Sequence, residues 1–521
     1  MRNRALHKGR VKQPEGATVN NLIKAAALFV LISCGVWVAV LWRWEVTSHD
    51  MNTPDIVVYL AVLPLTVFAL ALMLRWAWRS AAMRQTAASA SAAVAAVAAG
   101  SATADAVGAN ADAERRHATM QLIAAHLVCA AGESASELQT AAKDGAPRPA
   151  LDPELRDEDG LPVMSARIKG LDVEQIDALL EPALLTARAL RPEWAELSAS
   201  EHVLRALTAL TSPLKEAMGA LAPWAAHFQA AADAPRGQRP TKQVRVLLGW
   251  PNDWTAFEQE LGLACVAELI KSSGDSPVPQ TCFVCTSVVG SGESLLTHAD
   301  RLLQTMTREG HAEPVIVAAC HSTVSEMAID ALERRGELFT AAKRPRGRMP
   351  AEAAAVLVLA DSAWPAAPNA DGPLPHLHRP AVQMRDKSVD APGRVSCEVV
   401  TQAITQALMA ARLGWEAMGA MAGDADQHSA RSAEFHGAAI AMHTQLDTAE
   451  DMRSLGTVTG AVGAVSALLV VACAAELAVT MNKPCLAVTV GDAFARIALV
   501  ALPGPPLPAP AAVPNSTVAS T

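Results

Sequence analysis

The chain has 521 residues, a formal net charge of -9 and nine cysteines. A chain of this length can form several structural units, each with its own apolar core. Because the balance is acidic and no basic domain stands out, we expect no nucleic-acid partner. The cysteines follow no repeating spacing and most lie within apolar runs, which is typical of reduced, buried thiols.

Two apolar runs predict a transmembrane hairpin over residues 22–84. Each run is long enough to cross a bilayer, and the connection between them carries mainly acidic residues. Basic residues lie in the segment 1–21 and after the second run, so the positive-inside rule places both ends in the cytoplasm. A cleaved signal peptide is the alternative, but no small-residue cleavage site follows the first run, whereas a second run does.

Residues 85–150 are rich in alanine and predict a tether, with a helix over 118–142. Beyond residue 150, apolar runs alternate with helical periodicity, which favours an α/β fold with a mixed or parallel sheet. The strands are expected at residues 161–168, 243–248, 281–289, 314–320, 353–359, 417–421, 485–490 and 495–502. A Pro/His linker at 365–380 divides them, and the segment 503–521 predicts a disordered tail.

A further apolar run, residues 455–479, is about one bilayer long and could be taken for a third membrane span. It begins with Gly456, Gly460 and Gly463 at helical spacing, which suits close backbone packing. Glu476 lies well inside the run, and the free-energy cost of placing a carboxylate inside a bilayer makes such residues rare in membrane spans. We therefore predict a buried core helix, which leaves the body after the hairpin in the cytoplasm.

Two segments together resemble ketosynthases of the thiolase-like fold. Residues 348–359, RMPAEAAAVLVL, resemble the Pro-Gly-Glu-Gly-Ala-Ala segment that leads into a buried strand. Residues 456–463, GTVTGAVG, resemble the Gly-rich turn that leads into a buried helix. The resemblance implies a layered core of two βαβ-rich halves, here residues 151–364 and 365–502.

The same resemblance bears on catalysis. Condensing enzymes need a nucleophilic Cys at a helix N-terminus and two polar residues, usually His, that stabilise the thioester oxyanion. At the matching turns this chain has Gly-Ser-Gly-Glu-Ser at 290–294, Thr457, and Asp-Ala-Asp-Gln-His at 424–428. We therefore expect a thiolase-like body that is not an enzyme, with no catalytic residues and no cofactor or metal.

Over most of its length the chain also resembles the bacterial adaptors that accompany type VI secretion lipase effectors. The hairpin, the tether, LPVMSAR at 161–167 and VRVLLGWPNDW at 244–254 carry this resemblance. It implies a multi-pass inner-membrane adaptor or chaperone that binds a lipase effector in the cytoplasm and helps to load it onto the secretion spike. The ketosynthase resemblance is compatible with a homodimer, since thiolase-like proteins are often dimers. The alternative function is a membrane-associated acyl-transfer enzyme with an atypical site.

Two cysteine motifs could carry chemistry, although we expect a structural role for each. Cys282 and Cys285 have CxxC spacing but fall in a predicted strand, where residues three apart point to opposite faces. No second pair at metal-ligand spacing accompanies them. Cys320 and His321 follow a predicted strand, but adjacent side chains seldom point the same way, so a buried Cys beside a helix-capping Ser322 is expected.

Two polar motifs also predict structure rather than catalysis. Glu352 stands at the entrance of a predicted buried strand and is expected to accept backbone N–H groups. Residues 290–294 lack the Lys and the spacing of a phosphate loop, so they predict a tight connection between a strand and a helix.

The segment after the predicted strand at 243–248 is the candidate partner contact. Trp250 and Trp254 flank a polar turn that contains Asn252 and Asp253. Exposed Trp is a common anchor of protein interfaces, and core packing is the alternative. We predict a contact with the effector or the spike protein through these four residues.

Overall fold

The computed structural model describes residues 118–232, 242–274, 276–310, 313–365, 374–391, 393–442 and 445–505. The predicted basic segment 1–21, the hairpin at 22–84, residues 85–117 of the tether and residues 506–521 of the tail lie outside these ranges. Among the described helices, none has both the length and the apolar character that a bilayer crossing requires.

The described residues form strands β1 to β13 and helices α1 to α11. The strands are β1 (Thr119–Cys129), β2 (Ala150–Arg156), β3 (Pro162–Ser165), β4 (Val244–Trp250), β5 (Phe283–Val289), β6 (Val315–Ser322), β7 (Glu352–Asp361), β8 (His376–His378), β9 (Ala381–Met384), β10 (Ala420–Gly423), β11 (Met452–Ser454), β12 (Cys485–Thr489) and β13 (Ala495–Leu502). The helices are α1 (Ala135–Asp144), α2 (Asp177–Leu190), α3 (Glu201–Gly219), α4 (Ala225–Ala232), α5 (Ala256–Ser272), α6 (Gly292–Arg308), α7 (Glu326–Arg335), α8 (Glu398–Ala411), α9 (Ser429–Ala441), α10 (Gly456–Thr459) and α11 (Val465–Met481).

The main sheet has two halves with the same strand order. In the first half the order is β5-β4-β6-β7-β1, and in the second it is β11-β10-β12-β13 followed by β8 and β9. The first three strands of each series pair in parallel, and the later pairs are antiparallel. Strands β1 and β8 join the halves into one 11-stranded sheet.

Helices cover both faces of each half-sheet. Helix α3 packs on the outer face of the first half, and α8 packs on the outer face of the second. Helices α6 and α11 contact strands of both halves and fill the layer between them. This arrangement confirms the predicted mixed α/β body with two βαβ-rich halves in layers.

The apolar run at 455–479 lies in that central layer, so the prediction of a buried core helix is confirmed. The residues of α11 from Val465 to Ala475 are buried apart from Ser466. The run is not one continuous helix, because α10 ends before Gly460 and a turn follows. Gly460 and Gly463 adopt positive φ angles of 69° and 54°, a conformation that glycine reaches without steric cost.

The predicted helix at 118–142 is wrong over its first half. Thr119–Cys129 forms β1, which pairs with β7 along its length, and α1 begins only at Ala135. The alanines favour a helix locally, but a place between two strands of the main sheet overrides this weak preference. The first half of the body therefore begins near residue 119 and not at residue 151.

The predicted strand at 161–168 does not enter the main sheet. Its strand portion is only β3, which pairs with β2 in a separate two-stranded sheet. This small sheet packs on α7 over a satellite apolar cluster. The members of the cluster are Leu155, Val163, Val324, Ile329, Leu332 and Leu338.

Each half buries an ion pair between its antiparallel strand and an outer helix. In the first half, Arg205 of α3 donates from Nε and Nη2 to the Glu352 carboxylate at 2.8 and 2.7 Å. The backbone N–H of Ile168 also donates to Glu352 at 2.7 Å, as the sequence predicted. In the second half, Arg496 of β13 donates from Nε and Nη2 to Glu434 of α9 at 3.0 and 2.8 Å.

Candidate functional site

The two halves meet around a cavity of about 490 Å³. Strands β4, β5 and β6 run parallel, so the residues that follow them lie at the same edge of the sheet. Strands β10 and β12 bring their own carboxyl ends to the cavity from the second half. The polar lining residues include Asn252, Asp253, Ser291, His321, Arg348, Asp424, Asp426, Arg431, Ser466 and Asp492.

Ser291 begins α6 at the wall of this cavity. The helix N-cap is Ser291, but its side chain makes no capping hydrogen bond. The connection is tight, because a Cβ on Gly292 would lie 2.3 Å from the carbonyl oxygen of Ala464. The predicted strand-to-helix connection at 290–294 is therefore present, and it contains no cysteine.

Asp424 stands at the second matching turn, and its carboxylate is fully engaged. Oδ1 accepts the backbone N–H groups of Val490 and Gly491 at 2.6 and 3.0 Å, and Oδ2 accepts the hydroxyl of Ser466 at 3.0 Å. Burial raises the pKa of Asp424, and these hydrogen bonds oppose that increase. The carboxylate thus ties the end of β12 and the start of α11 to β10.

Thr457 marks the third matching turn, and it does not line the cavity. Its hydroxyl donates to the carbonyl oxygen of Ser454 at 2.6 Å and so stabilises the start of α10. The cavity wall beyond α10 is formed instead by the turn at 460–464.

His321 is the imidazole that lines the cavity. Its Nδ1 is buried without a hydrogen-bond partner among the described residues, and a Cβ on Gly463 would lie 3.2 Å from that atom. Burial lowers the pKa of His321 to about 4. The charge of Asp253 opposes this decrease, and the charges of Arg348 and His202 add to it. The imidazole is therefore neutral near pH 7.

Cys320 and His321 point to opposite faces of β6, as the sequence predicted. Cys320 belongs to the outer apolar cluster of the first half, and burial raises the pKa of its thiol. Ser322 does not cap a helix, because α7 begins at Glu326 and its N-cap is Ser325. The Ser322 hydroxyl instead accepts the backbone N–H of Val324 at 3.2 Å.

Cys282 and Cys285 are free thiols within the packing of the first half. Cys282 lies in a short 3-10 turn before β5, and Cys285 lies on β5 itself. Burial raises the pKa of Cys285 to about 11. Across the described ranges, no cluster of three or more His, Cys, Asp or Glu side chains is arranged to hold a metal ion.

Trp250 and Trp254 do not form a surface contact, which contradicts the prediction for these two residues. Their exposed fractions are 0 % and 4 %, and their rings stack at a centroid distance of 5.2 Å. They pack against Gly262 of α5, where a Cβ would lie 3.0 Å from Trp250. Asn252 and Asp253 are exposed and line the cavity, so a partner contact through them stays a prediction.

Arg431 is a cavity residue that the sequence did not single out. It lies on α9 and is 7 % exposed, and its guanidinium approaches Asp390 at 3.1 Å and Asp426 at 3.5 Å. Half of the lining residues of the first half directly follow β4, β5 or β6. A residue that directly follows a predicted strand can be recognised as a candidate from the sequence. The position of Arg431 on a helix gives no such indication.

The comparisons with known proteins find similarity only in structure. No family model matches the sequence, and no curated protein sequence matches it either. The ishigamide ketosynthase/chain length factor is similar at 16% identity and a TM-score of 0.43, over 74% of this chain and 99% of that chain. A ketosynthase in complex with its chain length factor from Xenorhabdus doucetiae is similar at 14% identity and a TM-score of 0.46, over 73% and 98% of the two chains.

An oxazolomycin ketosynthase domain from Streptomyces albus is similar at 11% identity and a TM-score of 0.48, over 75% of each chain. These values describe a distant likeness in the path of the chain. The interpretation of the cavity therefore rests on the residues of this chain.

Proposed function

We propose that this protein is a non-enzymatic adaptor, tethered to the bacterial inner membrane, that binds a type VI secretion lipase effector in the cytoplasm. In this role it would help to load the effector onto the secretion spike. The resemblance described for the sequence suggests the partner and the location. The observation that carries the non-enzymatic part is the state of the three turns that the ketosynthase resemblance matches.

At those turns, several polar side chains hold the fold together. The carboxylate of Asp424 accepts three hydrogen bonds, and the hydroxyl of Thr457 donates to Ser454. The remaining turn, at 290–294, contains no Cys, and its Ser291 has a hydroxyl. A hydroxyl needs an activating base to act as a nucleophile. An ionised carboxylate such as Asp424 has no proton to donate to an oxyanion, and the hydroxyl of Thr457 already donates to Ser454. His428, at the end of the second turn, uses its Nδ1 atom to cap helix α9.

The adaptor function predicts a complex that survives changes in the cavity. The full-length protein, extracted from its host membrane in detergent, should co-purify with the lipase effector and the spike protein. Cys320→Ala and Ser291→Ala should retain both partners and should leave secretion of the lipase unchanged. If the wild-type protein recovers neither partner, or if Ser291→Ala abolishes secretion while the complex persists, the non-enzymatic adaptor is wrong.

The second candidate is an acyl-transfer enzyme with an atypical site. It is favoured by one observation, the presence of the Ser291 hydroxyl and the His321 imidazole in the same cavity. Against it, burial leaves His321 a weak base, since its pKa falls to about 4. An acyl group found on Ser291 after incubation with acyl-CoA would support this function over the adaptor.

A further inference from the structure

Strand β9 is an edge strand at the point where β1 begins. Strands β8 and β9 pair with successive parts of β13, so both lie along the same side of β13. On the opposite side of β8 lies β1, whose first paired residue is Thr119, across from His378. Among the described residues, no strand continues this pairing along β9. One side of β9 is therefore open to a further strand.

The backbone of β9 presents polar groups on this open side. Along an antiparallel pair, the backbone groups of alternate residues point towards the partner strand. The N–H of Arg385 donates to the carbonyl oxygen of Phe494 at 2.9 Å, so Gln383 also directs its backbone groups towards β13. Val382 and Met384 therefore direct their N–H and C=O groups to the open side. Within the described ranges, no backbone group bonds them there.

Strand β9 and its surroundings also expose large apolar side chains. Val382 and Met384 of β9 are 37 % and 57 % exposed, and Phe494, which precedes β13, is 43 % exposed. An uncharged edge strand with exposed apolar side chains is a template for pairing with another chain, and proteins usually cover such edges. A further segment is therefore expected to pair with β9.

The chain that precedes Thr119 is directed towards this edge. Gln121 pairs with His376 and Thr119 pairs with His378, so each step back along β1 moves one step forward towards β9. Continuing this register would place residues 113–116 opposite the four residues of β9. The segment 113–117, Ala-Glu-Arg-Arg-His, is long enough to cover β9 and contains no proline that would prevent pairing.

A covalently attached segment has an advantage over a separate chain at this edge. It begins beside the open side of β9, so its local concentration there is far higher than that of a free partner. A strand from another molecule would also have to enter at the position where the chain joins β1.

We propose that residues 113–117 pair with β9 as an antiparallel extension of β1, with hydrogen bonds to the backbone of Val382 and Met384. The predicted tether is then fixed to the second half of the body as well as to the first. This inference goes beyond the adaptor function and does not rest on it.

Hydrogen exchange of the full-length protein in detergent, resolved by peptide fragmentation in a mass spectrometer, tests the pairing. In the wild type, the amides of Val382 and Met384 should exchange about tenfold or more slowly than in an unstructured peptide of the same sequence. Exchange of both amides at the unstructured rate would overturn the proposal.

Two proline variants test the hydrogen bonds of the added strand. Because N–H groups alternate in direction along a strand, only one of Arg115→Pro and Arg116→Pro removes a hydrogen bond to β9. That variant should raise the exchange rate of Val382 or Met384 by about tenfold, whereas the other proline faces solvent and is tolerated at an edge. Ala104→Pro is the matched control and should exchange as the wild type does. Unchanged exchange in β6 and β7 shows that each variant is folded.

A disulfide cross-link gives an independent readout of the same register. Residues directly opposite each other in a sheet lie within the range of Cα distances that a disulfide spans. Val382→Cys should therefore form a disulfide on mild oxidation with either Arg115→Cys or Arg116→Cys, at the position where proline is disruptive. Val382→Cys with Ala104→Cys should form none. The proposal is overturned if neither proline variant accelerates exchange, or if the control pair cross-links as well as the other two.

Discussion

The two halves of the sheet place an ion pair at corresponding positions but with opposite polarity. In the first half, β7 supplies the carboxylate of Glu352 and the outer helix α3 supplies Arg205. In the second half, β13 supplies Arg496 and the outer helix α9 supplies the carboxylate of Glu434. The two pairs show that either partner of a buried ion pair can stand on the antiparallel strand. Removing one member of a buried pair is costly, because it leaves the other charge buried without a partner.

The two pairs also differ in how far they are buried. Both members of the second pair have side chains that are 0 % exposed, and Arg385 adds a further ion pair to Glu434. In the first pair, the side chain of Arg205 is 9 % exposed. Removing the carboxylate should therefore cost more in the second half than in the first.

The largest effect is expected for Glu434→Gln. The substitution leaves the guanidinium of Arg496 buried without a countercharge, and such a loss typically costs about 3–5 kcal/mol of the free energy of unfolding. Urea unfolding followed by circular dichroism measures it. Glu450→Gln, which removes an exposed ion pair with Lys143, is the control and should cost less than about 1 kcal/mol. Equal effects of the two substitutions would contradict the importance of burial.

A smaller effect is expected for Glu352→Gln, about 2–3 kcal/mol in the same assay. Arg205 lies closer to solvent than Arg496, so its charge can be hydrated after a small movement. The amide of the new side chain can still accept the N–H of Ile168. If Glu352→Gln lowered the free energy of unfolding by more than Glu434→Gln does, the expected order of the two ion pairs would be wrong.

The halves differ again at the cavity between them. The first half contributes His321, whose Nδ1 has no partner among the described residues, and the second contributes Asp424, whose carboxylate accepts three hydrogen bonds. Burial lowers the pKa of His321 and raises that of Asp424. The two groups therefore influence the pH dependence of stability in opposite directions.

The smallest effect is expected for the contribution of His321 to the pH dependence of the free energy of unfolding. In the unfolded chain the pKa of His321 is about 6.5, whereas in the folded protein it is about 4. Below about pH 6.5 the unfolded chain therefore binds a proton that the folded protein does not, so the free energy of unfolding decreases as the pH falls from about 6.5 towards about 4. His321→Gln should flatten the fall of the urea midpoint between these pH values. His298 is exposed, so His298→Gln should keep the wild-type slope. A slope unchanged in both variants would mean that the pKa of His321 is not lowered in the folded protein.

The sequence predicted the strands that are long and buried on both faces, such as β4, β6, β7 and β13, because their apolar runs are continuous. It could not predict β8, β9 and β11, which have only three or four residues and show no periodicity. It assigned β1 to a helix because pairing with distant β7 overrides the preference of its alanines.

The candidate site shows the same limit. The sequence indicated that Cys320 and His321 would point apart, since side chains alternate along a strand. It misplaced Trp250 and Trp254 at the surface, because the local sequence does not show that α5 folds back and that Gly262 makes room for their rings.

Incubation of the purified full-length protein with acyl-CoA, followed by intact-mass and peptide mass spectrometry, tests the proposed adaptor function most directly. Ser291→Ala serves as the matched variant. The adaptor account predicts that the wild type and the variant both keep their unmodified mass. A stable acyl adduct on a single residue of the wild type, above all on Ser291 and absent from the variant, would contradict it.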